Sequence, residues 1–482
     1  MPFAQHGPFA QHGMLCNNCP MADTPWLDDA CSLVDAFRRG ERNPVEELEA
    51  CAKAIENSKL NAFCHLDLER AMDEASKADV SLPFGGVPFG VKQLDMVEGW
   101  PATEASLVFK DRIATYTNTY LERAFAAGLI PIGQTIASEF GGLNVSVSKL
   151  NGVTGNAWNP ERTAGGSSGG SATAVAGGLV PIASAGDGGG SIRIPAGFCG
   201  LVGMKGTAGR IPRGPQTAIF PLTVVVGCVA RSVRDVCRFY DVTCGYDSRD
   251  PYSLPNPGEW ESSLGTYDLR GKTACIDFGV GGAIVRDEVA ELVTETAEAL
   301  CRSAGIGLVE VDVAIPPVAV EWAMANLVQL KRELGELWPG CKDDLTDEIA
   351  FGLTLAEQVV NLDLLARVEE KRVQLNEAMA DVFDAVDFLI TATNPDVACP
   401  AEVTLNTRVG DRQVSPENNA ALTAPANISG NPAISVPAGT VDGLPVGMQI
   451  IGRHHEDALL LDLAALLEKE KPWPKVAPGA PV

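Results

Sequence analysis

The sequence predicts an α/β fold: one large domain in which helices cover a mixed β-sheet. Short apolar segments typical of strands alternate along the chain with segments typical of helices, and this alternation favours a sheet with helices packed on its faces. The chain of 482 residues is 46% hydrophobic and 21% charged, a globular composition with enough apolar surface for a large core. The sequence contains no internal repeat of 20–50 residues, the period that repeat architectures show.

The expected strands are short and apolar, and the expected helices have recognisable ends. The first helix is predicted from Asn43, which can cap it, followed by Pro44 in the first turn and by Glu46 and Glu47 near its positive end. Further helices are predicted near 66–77 and at 121–127, 171–177, 287–304 and 355–382. The predicted strands are VPFGVKQLD, LIPIGQT, LVPIASAGD, KTACIDFG, GLVEVDV, DFLITAT and PVGMQIIG.

Residues 1–25 are predicted to form a flexible tail before a domain that spans residues 26–476. The segment PFAQHG occurs twice in tandem, and Cys16 and Cys19 follow it. Together with His6 and His12 these cysteines are residue types that ligate metals. Chain termini are usually disordered unless something holds them, so we expect a tail here and no metal site.

Charge and cysteine usage limit the partners and the compartment. The chain carries 62 acidic and 37 basic residues, a formal net charge of −25, and such a surface repels nucleic acid and anionic membranes. The first basic residue is Arg38, and no apolar run of signal-peptide or membrane-spanning type is present. The 13 cysteines have no regular spacing. We therefore expect reduced, mostly buried thiols in a cytoplasmic protein without nucleic-acid or membrane partners.

Two glycine-rich segments each contain a serine that is a candidate for catalysis. AGDGGGSIRIPAG places Ser191 directly after Gly188, Gly189 and Gly190. Successive backbone N–H groups in such a loop can converge on one concavity, so Ser191 is a nucleophile beside an oxyanion hole, part of a phosphate cradle, or a residue of a tight turn. RTAGGSSGGSATAVAGG places Ser167 in a second such loop, but it lacks the G-K-[ST] ending of a P-loop.

The base that would activate such a serine is not expected to be histidine. The chain has 5 histidines, and none lies between His65 and His454. Lys92 follows the apolar run 87–91, where its ammonium is poorly hydrated. A single lysine in this position often extends to the surface, but next to two glycine-flanked serines it is also a candidate base, because Ser–Lys pairs are a known variant of the catalytic triad.

These segments resemble the amidase signature family. The resemblance rests on GVPFGVKQLD, on the run from NAWNPERTAGGSSGGSATAVAGG to GMKGTAGRIP, and on NISGNPAISVPAGTVDGLPVGMQIIGRHHEDALLL, and it extends from Trp26 to Trp473. It implies a single α/β domain with a twisted mixed sheet and a Ser–cis-Ser–Lys triad that needs neither cofactor nor metal.

Carried onto this chain, the resemblance assigns one role to each candidate. Ser191 is the expected nucleophile, Ser167 the bridging serine after a cis peptide bond, and Lys92 the base. The backbone N–H groups of Gly188, Gly189, Gly190 and Ser191 are the expected oxyanion hole.

The substrate is predicted from the segments expected to line the pocket. EWAMANLVQLKRELGELWPG and FGLTLAEQVVNLDLL are mainly apolar and lack the Arg- and Tyr-rich stretch that glutamine-specific relatives carry. We therefore expect a stand-alone amidase, a monomer or homodimer, that acts on small apolar amides, with anilides, esters and carbamates also fitting the mechanism. The alternatives are a glutaminase-type subunit of a tRNA-dependent amidotransferase and a non-catalytic binding protein on the same fold.

Overall fold

The structure of the protein is a computed structural model that describes residues 23–217 and 223–482. The tandem PFAQHG segments, with His6, His12, Cys16 and Cys19, lie outside the described residues. Of the predicted tail only 23–25 are described, and there the Thr24 carbonyl accepts a hydrogen bond from Arg42 at 2.6 Å. The boundary between tail and domain stays a prediction.

The described helices and strands alternate along most of the chain. The α-helices are α1 (Ala30–Arg38), α2 (Pro44–Asn57), α3 (Leu68–Ser76), α4 (Thr119–Ala126), α5 (Gly169–Ala176), α6 (Arg193–Cys199), α7 (Val233–Thr243), α8 (Trp260–Ser263), α9 (Asp287–Ala304), α10 (Ala319–Leu334), α11 (Asp347–Val359), α12 (Leu362–Ala385), α13 (Asn418–Ala421), α14 (Ala424–Ser429) and α15 (Asp457–Glu470). The strands are β1 (Phe63–Leu66), β2 (Val87–Lys92), β3 (Leu129–Thr135), β4 (Val147–Ser148), β5 (Gly152–Val153), β6 (Gly155–Asn156), β7 (Asn159–Thr163), β8 (Ile182–Asp187), β9 (Val202–Lys205), β10 (Val225–Ala230), β11 (Thr273–Ile276), β12 (Gly307–Leu308), β13 (Phe388–Ala392), β14 (Arg408–Val409), β15 (Arg412–Gln413), β16 (Ala433–Val441) and β17 (Leu444–Gly452).

One mixed sheet of 11 strands organises the molecule, in the order β1-β3-β2-β8-β10-β9-β16-β17-β13-β11-β12. Strand β2 runs parallel to both β3 and β8, whereas β10, β9, β16 and β17 pair in antiparallel fashion. Every residue of β2 and β8 is buried, as is typical of strands that are covered on both faces. The prediction of a single α/β domain with a mixed sheet covered by helices is therefore confirmed.

Several predicted elements differ from the observed ones. Helix α9 has the predicted bounds, and the side chain of Asn43 caps α2 by accepting from the Glu46 amide at 3.0 Å. The single helix predicted over 355–382 is wrong, because the chain breaks at Asn361, whose side chain caps α12. The sequence pattern does not single out β9 or β16, since each carries a glycine or proline that weakens the strand signal.

Residues 319–359, hereafter the cap, form a separate layer with its own apolar cluster. Leu330, Leu334, Trp338 and Leu353 pack together there, and Phe140 of the main domain packs against them. The carboxylate of Glu139 joins the two layers: it accepts hydrogen bonds from the amide and the hydroxyl of Thr346 at 2.7 and 2.8 Å. The cap is thus attached to the segment that follows β3.

Among the described residues, no single helix is long and apolar enough to cross a membrane. Helices α11 and α12 together are long and apolar enough by length and composition, but the chain bends by 109° between them. The absence of a membrane partner stays a prediction.

Candidate active site

The sheet brings Lys92 and the Ser191 loop to the same edge. Lys92 is the last residue of β2 and Asp187 is the last residue of β8. Because these neighbouring strands are parallel, their carboxyl ends meet at one edge, the usual position of a site in such sheets. Ser167 reaches this edge from the turn before α5, a helix of small, fully buried residues that packs against β8.

Lys92 and Ser167 form a direct contact in the interior. The Lys92 ammonium donates to Ser167 Oγ at 2.8 Å and to the Gly186 carbonyl at 3.2 Å. The Gly166–Ser167 peptide bond is cis, as the family resemblance predicts. The Ser167 carbonyl accepts from the Ser138 amide at 3.2 Å, so the backbone of this serine is held as well as its hydroxyl.

The surroundings of Lys92 make its ammonium easier to deprotonate than that of a free lysine. Burial lowers the pKa of Lys92 to about 8, against the opposing influence of Asp95, Asp187 and Glu104. Among the described residues no carboxylate hydrogen-bonds to the ammonium; its two acceptors are a hydroxyl and a carbonyl. At pH 7 about one Lys92 in ten is then neutral, compared with about one free lysine in two or three thousand.

Asp187 organises the loop that carries Ser191. One carboxylate oxygen accepts from the Gly190 amide at 2.6 Å, and the other accepts from the Arg193 Nε at 3.0 Å. The side chains of Asp187 and Arg193 have no exposed surface. Burial alone would raise the pKa of Asp187, but the Arg193 charge and hydrogen bonds from Arg193 and Asn427 hold it below its ordinary value. Asp187 is therefore a buried anion that shapes the turn after β8.

Three of the four N–H groups predicted for the oxyanion hole are available in the structure, because Asp187 uses the fourth. The Gly190 N–H is already bonded to Asp187, so it does not point into the site with the others. The N–H groups of Gly188, Gly189 and Ser191 make no hydrogen bond with any residue in 23–217 or 223–482. Gly190 has a φ of +131°, and a Cβ at this position would lie 2.4 Å from the Thr423 hydroxyl. Only glycine therefore fits there.

Ser191 is almost closed off and its hydroxyl is free. The residue is 7% exposed, and its Oγ makes no hydrogen bond with another described residue. The contact between Ser167 and Lys92 is thus formed in this structure, whereas the hydrogen bond between Ser191 and Ser167 is not. Catalytic hydrogen bonds often tighten only once substrate is bound.

A cavity of about 190 Å³ with a mixed apolar and polar lining lies beside the start of the cap, and Trp322 links it to the Ser191 loop. Its polar lining consists of Asp396, Glu417, Thr404 and three asparagines, Asn144, Asn406 and Asn419. Its walls include Val145, Ile194, Phe198 and Trp322, together with Glu417 near the surface. Among the described residues, no lysine, arginine or tyrosine lines it. The lining therefore offers apolar surface and carboxylates but no cation from the described residues.

The two segments predicted to line the pocket behave differently. The first, 321–340, contributes Trp322 and Ala323 to the wall of this cavity. The second, 351–365, contributes no described residue to it, and the prediction is wrong for that segment. Phe351 is instead 69% exposed, because α11 turns its inner face to the core of the cap.

Several residues at the site are not evident from the sequence. Asp187 and Arg193 lie inside the segment AGDGGGSIRIPAG, and an acid and a base six residues apart are the only local signal of their ion pair. Trp322 donates to the Gly188 carbonyl at 2.8 Å and Thr423 to the Gly189 carbonyl at 2.6 Å. The described residues contain no group of three or more His, Cys, Asp or Glu arranged to hold a metal ion.

Comparison with known proteins gives one family. A family model described as Amidase matches residues 46–461. The chain is 32% identical over 472 residues to a glutamyl-tRNA(Gln) amidotransferase subunit from Chloroflexus aggregans, covering 91% of this chain and 95% of that protein. A solved bacterial aryl acylamidase of the amidase signature family superposes with a TM-score of 0.86 at 27% identity, covering 93% of this chain and 97% of that one. The 6-aminohexanoate cyclic dimer hydrolase, solved with substrate, gives 0.86 at 28% identity, covering 94% and 99%.

Replacing Arg193 by methionine should leave the Asp187 carboxylate buried without its counter-ion. We expect Arg193→Met to lower the free energy of unfolding by about 3–5 kcal/mol at pH 7. Without Arg193, burial raises the pKa of Asp187, so protonation relieves the cost and the difference from the unmodified protein shrinks as the pH falls through that raised pKa. Urea unfolding at pH 7 and pH 5 measures both effects.

The matched control is Arg270→Met, which breaks the exposed Arg270–Asp268 pair. An exposed pair contributes little to stability, so this variant should unfold like the unmodified protein at either pH. Equal effects of the two substitutions, or a deficit for Arg193→Met that grows toward pH 5, would contradict the role given to Asp187.

Proposed function

Because this chain belongs to the amidase family, a family of amide hydrolases, we propose that it is a serine amidohydrolase that cleaves C–N bonds of small, mainly apolar amides through an acyl-enzyme. The observation that carries the proposal is the buried 2.8 Å contact between Lys92 Nζ and Ser167 Oγ, at the same sheet edge as the loop of Ser191. Anilides, esters and carbamates fit the same chemistry.

The reaction begins with a proton transfer through the two serines. Neutral Lys92 takes the proton of Ser167, which takes the proton of Ser191, and Ser191 Oγ forms a bond to the substrate carbonyl carbon as the C=O π bond opens. When the C–N bond breaks, the amine leaves with the proton returned by Lys92 through Ser167. Water then attacks the acyl ester by the same route and regenerates Ser191.

The negative oxygen of each tetrahedral intermediate is stabilised by backbone N–H groups. The open donors are Gly188, Gly189 and Ser191, which keep their orientation because Asp187, Trp322 and Thr423 hold the loop. Donors that are fixed in advance need no reorganisation during the reaction, and one such donor lowers a barrier by about 3–4 kcal/mol.

The proposed substrate class rests on the cavity beside the loop. The apolar residues Val145, Ile194, Phe198 and Trp322 in its wall favour an apolar acyl group or an aryl amine, and the carboxylates of Asp396 and Glu417 disfavour an anionic one. The two solved structures with a TM-score of 0.86 are named as an aryl acylamidase and a 6-aminohexanoate cyclic dimer hydrolase, and the first of these names supports an aryl amide as substrate. In this function we propose that the protein acts in the cytoplasm as a monomer or homodimer, with neither nucleic acid nor membrane as partner.

A second candidate is the glutaminase-type subunit of a tRNA-dependent amidotransferase. It is favoured by the sequence relatives, since 32% identity over 91% of the chain relates this protein to an amidotransferase subunit. The cavity argues against the glutamine carboxylate, because no described lysine or arginine lines its wall, whereas Asp396 and Glu417 in that lining suit the glutamine ammonium.

A pair of matched amides separates the two candidates. Pentanamide has the carbon chain of glutamine without its charged groups. We expect the purified chain alone to hydrolyse pentanamide and a pentanoyl anilide with kcat/KM at least tenfold above that for glutamine, a difference of about 1.4 kcal/mol in barrier. Ammonia and aniline release provide the measurement, and Ser191→Ala is the control for contaminating hydrolases. A preference for glutamine, or activity that needs added partner subunits, would favour the second candidate.

The pH dependence of hydrolysis should report the pKa of Lys92. Only the neutral amine can accept the serine proton, and burial lowers the pKa of Lys92 to about 8. For an anilide without ionisable groups, log kcat/KM should therefore rise by about one unit per pH unit from pH 6 and level off near pH 9. A profile that is flat over this range, or a bell centred near pH 5, would exclude Lys92 as the base.

A further inference from the structure

Trp322 connects the cap to the backbone of the catalytic loop. It lies in the first turn of α10, and its indole Nε1 donates to the Gly188 carbonyl at 2.8 Å. The indole ring packs flush against the next residue, since a Cβ at Gly189 would lie 2.8 Å from its Cζ2. The same side chain forms part of the wall of the cavity.

A hydrogen bond to the Gly188 carbonyl also determines where the Gly189 N–H points. The peptide bond between the two residues is trans, and in a planar trans peptide the C=O and N–H bonds point in opposite directions. With the carbonyl held by Trp322, the Gly189 N–H faces away from the cap helix. It has no partner among the described residues, so it is free to receive an oxyanion.

The Gly189–Gly190 peptide is also held by a side chain, but its N–H is used within the protein. The Thr423 hydroxyl donates to the Gly189 carbonyl at 2.6 Å, and the Gly190 N–H of that peptide donates to Asp187 at 2.6 Å. Two successive peptides are thus each fixed by a side chain from a distant part of the chain. One N–H is used within the protein, and the other, oriented by Trp322, stays open.

We propose that Trp322 is a positioning residue of the oxyanion hole: its indole N–H orients the Gly188–Gly189 peptide so that the Gly189 N–H stabilises the transition state. This inference rests on the proposed function. Trp322 also borders the cavity. The same side chain therefore lines the cavity and orients a donor of the oxyanion hole.

The substitution Trp322→Phe removes the indole N–H and keeps an aromatic ring against Gly189. Loss of one oxyanion donor lowers kcat by about 10²–10³, and a donor that is misoriented but present should cost less, so we expect kcat for the anilide to fall by about tenfold or more. KM should change by less than about twofold, because the ground-state amide does not depend on this donor. The control is Trp338→Phe, which changes a tryptophan of the cap cluster that makes no hydrogen bond to the loop; its kcat and KM should stay within about twofold. Unfolding midpoints establish that both variants are folded.

A second measurement does not depend on turnover. An aryl trifluoromethyl ketone reacts as Ser191 Oγ bonds to the ketone carbon, the C=O π bond opens to an alkoxide, and the serine proton passes through Ser167 to Lys92. Fluorine NMR of this adduct gives its affinity, which Trp322→Phe should weaken by the same factor as kcat/KM while Trp338→Phe leaves it unchanged.

The outcomes separate this inference from the proposed function. If the unmodified protein hydrolyses amides and forms the adduct, and Trp322→Phe keeps both kcat and adduct affinity within twofold, the inference fails and the function stands. A fall in kcat with unchanged adduct affinity also overturns it. If the unmodified protein forms no adduct and hydrolyses no amide, the proposed function fails and the inference fails with it.

Discussion

The buried carboxylate of Asp187 is the constraint on which the rest of the site depends. It ends β8 and has no exposed surface, so its charge must be satisfied inside the protein. Arg193 and Asn427 supply part of that need, and the Gly190 amide supplies another part. The chain bends after β8 so that the Gly190 amide and Arg193 can bond to Asp187. This bend brings Ser191 to the edge of the sheet where β2 ends in Lys92.

The same arrangement keeps the charges of Asp187 and Lys92 from forming an ion pair with each other. Asp187 is bonded to Arg193, and Lys92 is bonded to the neutral oxygens of Ser167 and Gly186. A buried ammonium beside neutral acceptors loses its proton more readily, whereas one bonded to a carboxylate keeps it. Burial lowers the pKa of Lys92 to about 8, although the charge of Asp187 opposes the shift, and the pKa of Asp187 stays below its ordinary value. Arg193 is thus the ion-pair partner of Asp187, while the two described hydrogen-bond acceptors of Lys92 are uncharged.

The features that could be predicted from the sequence are those whose residues lie close together along the chain. A lysine at the end of an apolar strand and two serines among glycines are local patterns, and helix α9 is recognisable in the same way from its first residue to its last. Trp322 and Thr423 reach the loop from 134 and 234 residues away, and no local pattern contains such a contact. The use of the Gly190 amide by Asp187 is equally hidden, because composition shows that a loop can present N–H groups but not which of them is already bonded. The break at Asn361 is not evident because the apolar helical period continues on both sides of it.

We propose that Ser191 is the nucleophile and that Lys92 activates it through Ser167. The most direct measurement is the site and rate of modification by a fluorophosphonate, followed by peptide mapping. We expect a single adduct on Ser191, no adduct in Ser191→Ala, and modification at least tenfold slower in Lys92→Ala, since fluoride leaves without needing a proton but the serine must still lose its own. An adduct on another serine, or an unchanged rate in Lys92→Ala, would contradict it.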